Sequence, residues 1–191
     1  MPEFLNAFPD VRLQLSLSDN VVNLVQERFD VAIRVADLND SSLVPRRLAV
    51  DRRVVCAAPS YLERYGTPQS PEALRDHNRL VIMNIPSMRD WEFIFGGTTR
   101  KIHVESRFET NSGVAVHEAA LDGIGIAQLP AYLVAPDLKA GRLVSFLEDR
   151  VAEGKTIYAV YPHTRHLSPK VRAFIDFLVA KVTPIPPWER G

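Results

Sequence analysis

Apolar and polar residues alternate along the chain with two different periods, which predict strands and helices in turn. From Val11 to Ser18 every second residue is apolar, and this period of two predicts a half-buried strand. After Asp19, which can cap a helix, apolar residues recur at helical spacing as far as Phe29. Residues 30–35 are a second apolar run. A strand, a helix and a strand in this order predict two parallel strands of one sheet, joined by a right-handed crossover.

Two more extended segments, residues 43–48 and 53–57, complete this first block of the chain. Pro45 interrupts the first of them. Because proline has no backbone N–H to donate to a neighbouring strand, we expect this segment at the edge of a sheet.

A second block, from about residue 59 to residue 153, repeats the alternation. Ser70 precedes Pro71, and proline is favoured at the first position of a helix. Gly96 and Gly97 predict the turn of a hairpin, and Gly141 predicts the end of a helix. The apolar runs that we interpret as strands of this block are residues 80–84, 91–95, 124–129 and 142–146.

The last segments return to the first block, with an apolar strand at 156–161 and a helix from Ser168 onward. The fold class is therefore α/β. Chain crossings near 57–60 and 156–161 predict a hinge between two lobes, with a ligand cleft where strands end and helices begin. We place lobe I at residues 1–58 plus 157–191, and lobe II at residues 59–156.

The stretch from Arg107 to Ala120 changes from strand spacing to helical spacing at its centre. Between the two halves lie the small residues 110–113, which leave backbone N–H groups at the helix start uncovered. Such a helix start can bind an anion or a polar head group. Every helix also needs a cap, so capping alone is an alternative account of the same residues.

Charge and composition exclude several partners. Lys plus Arg number 23 and Asp plus Glu number 23, so no overall field attracts nucleic acid or an anionic membrane. The chain has no apolar stretch of about 18 residues and no signal-peptide pattern, which predicts a cytoplasmic protein with no membrane partner. The only cysteine, Cys56, lies in an apolar run and is interpreted as a core residue. The arginines at 46, 47, 52 and 53 lack interleaved aromatic residues and are interpreted as a solvated strand face.

Enzyme motifs are incomplete. His117 and Glu118 begin like a zinc-protease helix, but Leu121 stands where the second histidine ligand is needed. His163 and His166 have no third ligand nearby. Neither a nucleophile elbow nor a phosphate-binding glycine loop occurs. We therefore predict no catalytic residue, no metal and no cofactor.

Five short motifs, in order and with matching gaps, resemble the effector-binding domain of LysR-type transcriptional regulators. The resemblance runs almost from end to end. Its motifs are Phe8–Leu13 with Leu15–Asp19, Phe29–Arg34, Ala58–Leu62, Thr110–Ser112 and Gly123–Pro130.

This resemblance implies a two-lobed periplasmic-binding-protein-like fold of type 2 that senses a small, anionic effector in the cleft and controls transcription. It also implies a homo-oligomer, a dimer or a tetramer, that contacts DNA only through an N-terminal winged helix-turn-helix. We expect that domain to be absent here, with lobe I truncated at its N-terminus. The alternative from another class is a stand-alone solute-binding protein or a small hydrolase that uses the same cleft.

The resemblance also points to candidate effector contacts, each of which has an ordinary structural alternative. Ser18 lies at another helix start, where capping is the alternative. Arg34 follows an apolar strand, where a solvated charge is equally common, and Gln128 could face either the cleft or water. The full set of candidates is Thr110, Asn111, Ser112, Ser18, Arg34, Val35, Ala36 and Gln128.

Overall fold

The computed structural model describes residues 1–19, 24, 26–35, 43–84, 86–163 and 167–190. These residues form two compact units. Unit 1 comprises Met1–Asp51 with Lys155–Gly191, and unit 2 comprises Arg52–Gly154. Residues 53–57 lie in unit 2, because that strand pairs with other strands of unit 2. The lobe limits given above stay a prediction.

The elements follow one another in mixed order. The strands are β1 (Ala32–Val35), β2 (Leu43–Val50), β3 (Arg53–Ala57), β4 (Leu80–Ile82), β5 (Asp90–Phe95), β6 (Thr98–His103), β7 (Phe108–Thr110), β8 (Ala127–Pro130), β9 (Val144–Ser145) and β10 (Thr156–Pro162). The α-helices are α1 (Pro2–Ala7), α2 (Pro59–Tyr65), α3 (Gly113–Leu121), α4 (Ala131–Lys139) and α5 (Pro169–Val182). Short 3-10 helices occupy Pro71–Asp76, Pro86–Arg89 and Pro187–Glu189. None of the described helices combines the length and apolar composition needed to cross a membrane.

Unit 1 contains an antiparallel sheet with the strand order β1-β10-β2. Strand β2 lies at its edge, which confirms the position expected for Pro45. Helix α1 packs on α5 through Phe4, whose ring is 5.1 Å from that of Phe174 and 5.3 Å from that of Phe177 between centroids. Phe4 is buried, so these ring contacts hold the short first helix in place.

The strand predicted from Val11 to Ser18 does not form among the described residues, and that prediction is wrong. Leu15 and Leu17 are 59% and 85% exposed, although alternation would have buried them. Alternating residues form a strand only where a neighbouring strand supplies backbone hydrogen-bond partners, and none pairs here. The predicted parallel crossover therefore fails as well, because only the second of its two strands, β1, forms. The helix predicted from Asp19 to Phe29 falls partly outside the described residues, and its described residues 24 and 26–28 form turns.

Unit 2 brings three strands together in the same direction. Strands β4 and β7 are parallel, with Leu80 opposite Phe108 and Ile82 opposite Thr110. An additional parallel bridge joins Arg79 to Ile126, so the segment leading into β8 also runs beside β4. Strand β3 pairs antiparallel with both β8 and β9, and β5 and β6 form the hairpin predicted at Gly96. The apolar core of the unit includes Val55, Leu74, Val81, Trp91, Phe93, Val104 and Ile126.

Asn78 fixes the amino ends of these strands. Its side-chain N–H donates to the backbone oxygen of Ile124 at 2.7 Å, and its side-chain oxygen accepts from the backbone N–H of Arg107 at 3.1 Å. Its backbone oxygen accepts from Ile126 N–H at 2.9 Å, while its own N–H donates to the Tyr61 hydroxyl at 3.0 Å. One residue thus ties together the segments that begin β4, β7 and β8.

Candidate functional site

The carboxyl ends of β4 and β7 meet at one edge of unit 2. The backbone N–H of Met83 donates to the carbonyl oxygen of Thr110 at 2.8 Å, so the parallel pairing continues to the last residue of β7. Helix α3 begins three residues later, at Gly113. Ligands of open α/β sheets bind at this kind of edge, where parallel strands end and a helix begins.

Two side chains accept backbone N–H groups at the start of helix α3, and one of them, Ser112, is its cap. Ser112 Oγ accepts from the backbone N–H of Ala115 at 3.4 Å, and Thr110 Oγ1 accepts from the backbone N–H of Ser112 at 3.3 Å. The expected capping role is therefore present at Ser112, whereas Thr110 stabilises the turn just before the helix. Both hydroxyls act as acceptors in these bonds, so each keeps its O–H for another partner.

Further donors and apolar groups surround the capped turn. The backbone N–H of Val114 has no acceptor in the described part of the chain, and the Asn111 side chain is exposed. Met83 and Val114 are 51% and 59% exposed, which is high for large apolar side chains. The helix start thus combines hydrogen-bond donors with apolar surface.

An ion pair holds the strand that carries Thr110. Arg89 binds Glu109 of β7 with both guanidinium ends, at 2.8 Å to Oε1 and 2.6 Å to Oε2. A bidentate pair has a defined geometry, so it fixes the direction of β7 as it approaches α3. It also compensates the charge of Glu109, which would otherwise repel an anion at the helix start.

The other candidates are distributed over both units. Gln128 lies on β8 opposite Val55 and is half-buried, in the same unit as Thr110, Asn111 and Ser112. Ser18 belongs to unit 1 and is exposed. Arg34 and Val35 are half-buried on β1, with Arg34 opposite Tyr158 of β10. Ala36 lies outside the described residues.

Sequence reasoning missed Met83. It assigned residues 80–84 to one strand, whereas β4 ends at Ile82. The available signal was a polar residue directly after an apolar run. Because the parallel partner of β4 lies far away in the sequence, nothing local showed that this end meets the start of α3.

The histidine of the incomplete zinc motif has a structural partner. His117 is buried on α3, and its Nε2 lies 2.8 Å from Oδ2 of Asp137 on α4. Asp137 Oδ1 in turn accepts from Arg142 Nε at 2.7 Å. Among the described residues no group of three or more His, Cys, Asp and Glu side chains could hold a metal ion. His163 is exposed, and His166 is not among the described residues.

Cys56 is fully buried on β3, as the interpretation as a core residue requires. Burial, together with the nearby Asp137 carboxylate, raises the pKa of its thiol to about 12. The thiolate is the reactive form of cysteine, so this residue is inert while the protein is folded.

We expect Cys56 to resist a thiol reagent such as Ellman's reagent at pH 8 in the native protein and to react fully in guanidinium chloride. Thr99→Cys on the exposed face of β6 is the control, because it adds one thiol that should react at once. Fast reaction of the unsubstituted native protein would contradict the prediction.

The match to a family model and the likeness to solved structures define the class of protein first: an α/β protein with the type 2 periplasmic-binding-protein-like fold. The family model described as the LysR substrate binding domain matches residues 1–183, and the chain belongs to this family.

Known proteins similar to the chain are transcriptional regulators. An uncharacterized HTH-type transcriptional regulator of Haemophilus influenzae is 32% identical over 171 residues, which cover 90% of this chain and 59% of that protein. The HTH-type transcriptional regulator CrgA of Neisseria meningitidis is 32% identical over 181 residues, which cover 94% of this chain and 60% of that protein. The solved regulatory domain of CrgA has a TM-score of 0.87 at 31% identity and covers 94% of this chain and 88% of that one. The chain spans about three fifths of the length of these curated relatives.

Proposed function

We propose that this chain is the effector-sensing domain of a cytoplasmic LysR-type transcriptional regulator and that it binds a small carboxylate. The observation that carries the proposal is the family match over residues 1–183, combined with a donor-rich helix start at the ends of two parallel strands. The similar proteins are regulators, which does not favour a free solute receptor or a hydrolase.

The start of α3 suits the charged end of such an effector. The helix start carries a partial positive charge, and the hydroxyls of Thr110 and Ser112, the Asn111 amide and the Val114 N–H supply donors. Bonds to an ionised acceptor are about twice as strong as neutral ones, so a carboxylate gains more here than an alcohol or an amide.

The apolar part of the effector has a matching surface. We place it against Met83 and Val114, the exposed apolar side chains at the same turn. A compact aromatic or aliphatic acid has both parts that this arrangement requires. Gln128, Ser18, Arg34, Val35 and Ala36 remain further proposed contacts.

Control of transcription is a proposal for the regulator as a whole. We do not assign DNA contact to these residues, whose charges cancel. The expectation of a dimer or a tetramer stays a prediction.

Thr110→Val tests the carboxylate site. It keeps the side-chain shape and removes the hydroxyl, so we expect acid binding to weaken by roughly 1.5 to 3 kcal/mol, the usual value of a hydrogen bond to a charged group. The measurement is calorimetric titration with a panel of small aromatic and aliphatic acids, together with their neutral amides. The amides should bind weakly to both proteins.

Thr110→Ser is the matched control, since it retains the hydroxyl and should retain affinity. This control is needed because Thr110 Oγ1 also accepts from Ser112 N–H, so valine removes a bond within the turn as well. Thermal melting of each variant measures that structural loss separately. Equal acid affinity in folded Thr110→Val and in the unsubstituted chain would leave Thr110 as a capping residue only.

A further inference from the structure

A second concave site lies in unit 2, away from the start of α3. It is a cavity of about 510 Å³ between the 3-10 helix Pro71–Asp76 and strand β6. None of its lining residues belongs to the turn between β7 and α3. Its volume falls within the usual range for small-molecule sites, which is roughly 300 to 1,000 Å³.

The lining of this cavity is mainly cationic. Arg75, Arg100 and Lys101 contribute three positive charges, against the single carboxylate of Glu72. The other ionisable lining residue, His103, lies 3.0 Å from the carboxylate of Asp90. Lys101 has a long, exposed contact of 3.7 Å with Glu92, which neutralises it only weakly. In the described part of the chain neither Arg75 nor Arg100 forms an ion pair with a carboxylate.

Both arginines have contacts that orient them. Arg75 Nε donates to the backbone oxygen of Glu72 at 3.1 Å, which leaves the outer nitrogens of the guanidinium available. Arg100 lies over the ring of Phe95, 5.4 Å from its centroid. A guanidinium held on an aromatic ring loses less conformational freedom when it binds a ligand. Phe95 and Ile102 also give the cavity an apolar wall.

The carboxylate of Glu72 lies within the electrostatic field of both Arg75 and Arg100. Its carboxylate pKa is lowered first by hydrogen bonds from its own N–H and from Ser70, and then by the charges of Arg75 and Arg100. The fields of the two guanidinium groups therefore overlap at this exposed carboxylate. Glu72 already contributes one negative charge to the cavity. A ligand therefore needs two negative charges to balance the three cations fully.

We infer that this cavity is a second ligand site, which takes a small phosphate monoester with an apolar group. The two arginines bind the phosphate, because the guanidinium fork matches phosphate oxygens in pairs. Phe95 and Ile102 contact the apolar group, and Lys101 adds charge at the rim. This site is independent of the proposed carboxylate site at α3.

Phenyl phosphate in a phosphate-free buffer at pH 7.5 is the probe, and calorimetry is the measurement. We expect phenyl phosphate to bind. Inorganic phosphate should bind more weakly because it lacks the apolar group, and phenol should not bind because it lacks the phosphate. Arg75→Gln and Arg100→Gln should each weaken phenyl phosphate binding by about tenfold, and the double variant should abolish it. Both side chains are exposed, so the variants should melt like the unsubstituted protein.

Arg64→Gln is the matched control. Arg64 is also an exposed arginine over an aromatic ring, 5.2 Å from the centroid of Tyr65, but it does not line the cavity. Its replacement should leave phenyl phosphate affinity unchanged, as should Thr110→Val. The inference is overturned if phenyl phosphate does not bind at millimolar concentration, or if Arg64→Gln weakens it as much as Arg100→Gln. Phenyl phosphate binding that Thr110→Val abolishes would likewise overturn it and assign the ligand to α3.

Discussion

Replacing Asp137 by asparagine should lower the free energy of unfolding by about 2 to 3 kcal/mol, within the usual range for losing hydrogen bonds to a charged group. Asp137 is buried on α4 and accepts from Arg142, while its second oxygen lies against the His117 imidazole. The amide carries no charge and cannot accept from both sides. The loss stays below that of a fully buried ion pair because Arg142 is exposed and can be solvated after the change.

Asp149→Asn is the control for this experiment. Asp149 also pairs with an arginine, Arg150, at 3.0 Å, but this pair is on the surface. Exposed pairs contribute about 0 to 1 kcal/mol, so the control should stay within that range. Urea unfolding at neutral pH measures both variants. A loss in Asp137→Asn no larger than that in Asp149→Asn would show that the contacts of the buried Asp137 carboxylate contribute little to stability.

The same carboxylate predicts the direction of the pH dependence. Burial by itself raises the pKa of Asp137, but the hydrogen bonds from Arg142 and His117 outweigh burial and lower it overall. A carboxyl whose pKa is depressed by folding stabilises the protein above its unfolded pKa, about 3.9. That contribution is lost as the pH falls from there through the folded value. The unsubstituted protein should lose more stability than Asp137→Asn in this acidic range.

Local signals in the sequence predicted the features that depend on one stretch of chain. Ser112 caps α3 as expected, and Gly123 ends this helix region with a φ of +70°. Gly96 and Gly97 form the turn between β5 and β6 with positive φ angles. In each case the backbone conformation depends on the residue itself, so the local sequence is enough to predict it.

Features that join distant stretches could not be predicted in this way. The alternation from Val11 to Ser18 is a property of that segment, but pairing depends on another strand, and none pairs with it here. The contact between His117 and Asp137 links two helices, and nothing in the spacing of either helix indicates it. The cavity is similar, because Arg75 on a 3-10 helix and Arg100 on a hairpin strand line it together although they are distant in sequence.

The candidate site was predictable only in part, because some of its residues are neighbours in sequence and others are brought together by the sheet. Thr110, Asn111 and Ser112 follow one another, and small polar residues before a helix are a local signal. Met83 reaches the same turn only through the parallel pairing of β4 with β7. The polar half of the site was therefore visible in the sequence, whereas the apolar half required the sheet.

Gly125→Ala should destabilise the protein by about 3 kcal/mol, the upper end for overpacking a well-packed site. A Cβ atom at Gly125 would lie 2.6 Å from the backbone oxygen of Asn78 and 2.9 Å from its side-chain nitrogen. The upper end applies because a backbone oxygen cannot move aside as a flexible side chain can. The oxygen it meets is the acceptor for the N–H of Ile126, so the clash acts directly on the start of β8.

Hydrogen exchange distinguishes this local effect from a general loss of stability. The N–H groups of Arg107 and Ile126 both donate to Asn78, so Gly125→Ala should reduce their protection more than that of the Phe4 region in unit 1. Gly141→Ala is the control: its φ is +69° with nothing within 4 Å of the added Cβ, so it should cost about 1 to 2 kcal/mol through backbone strain alone. Unchanged protection of both amides in Gly125→Ala would mean that Asn78 can shift without disturbing the strands it joins.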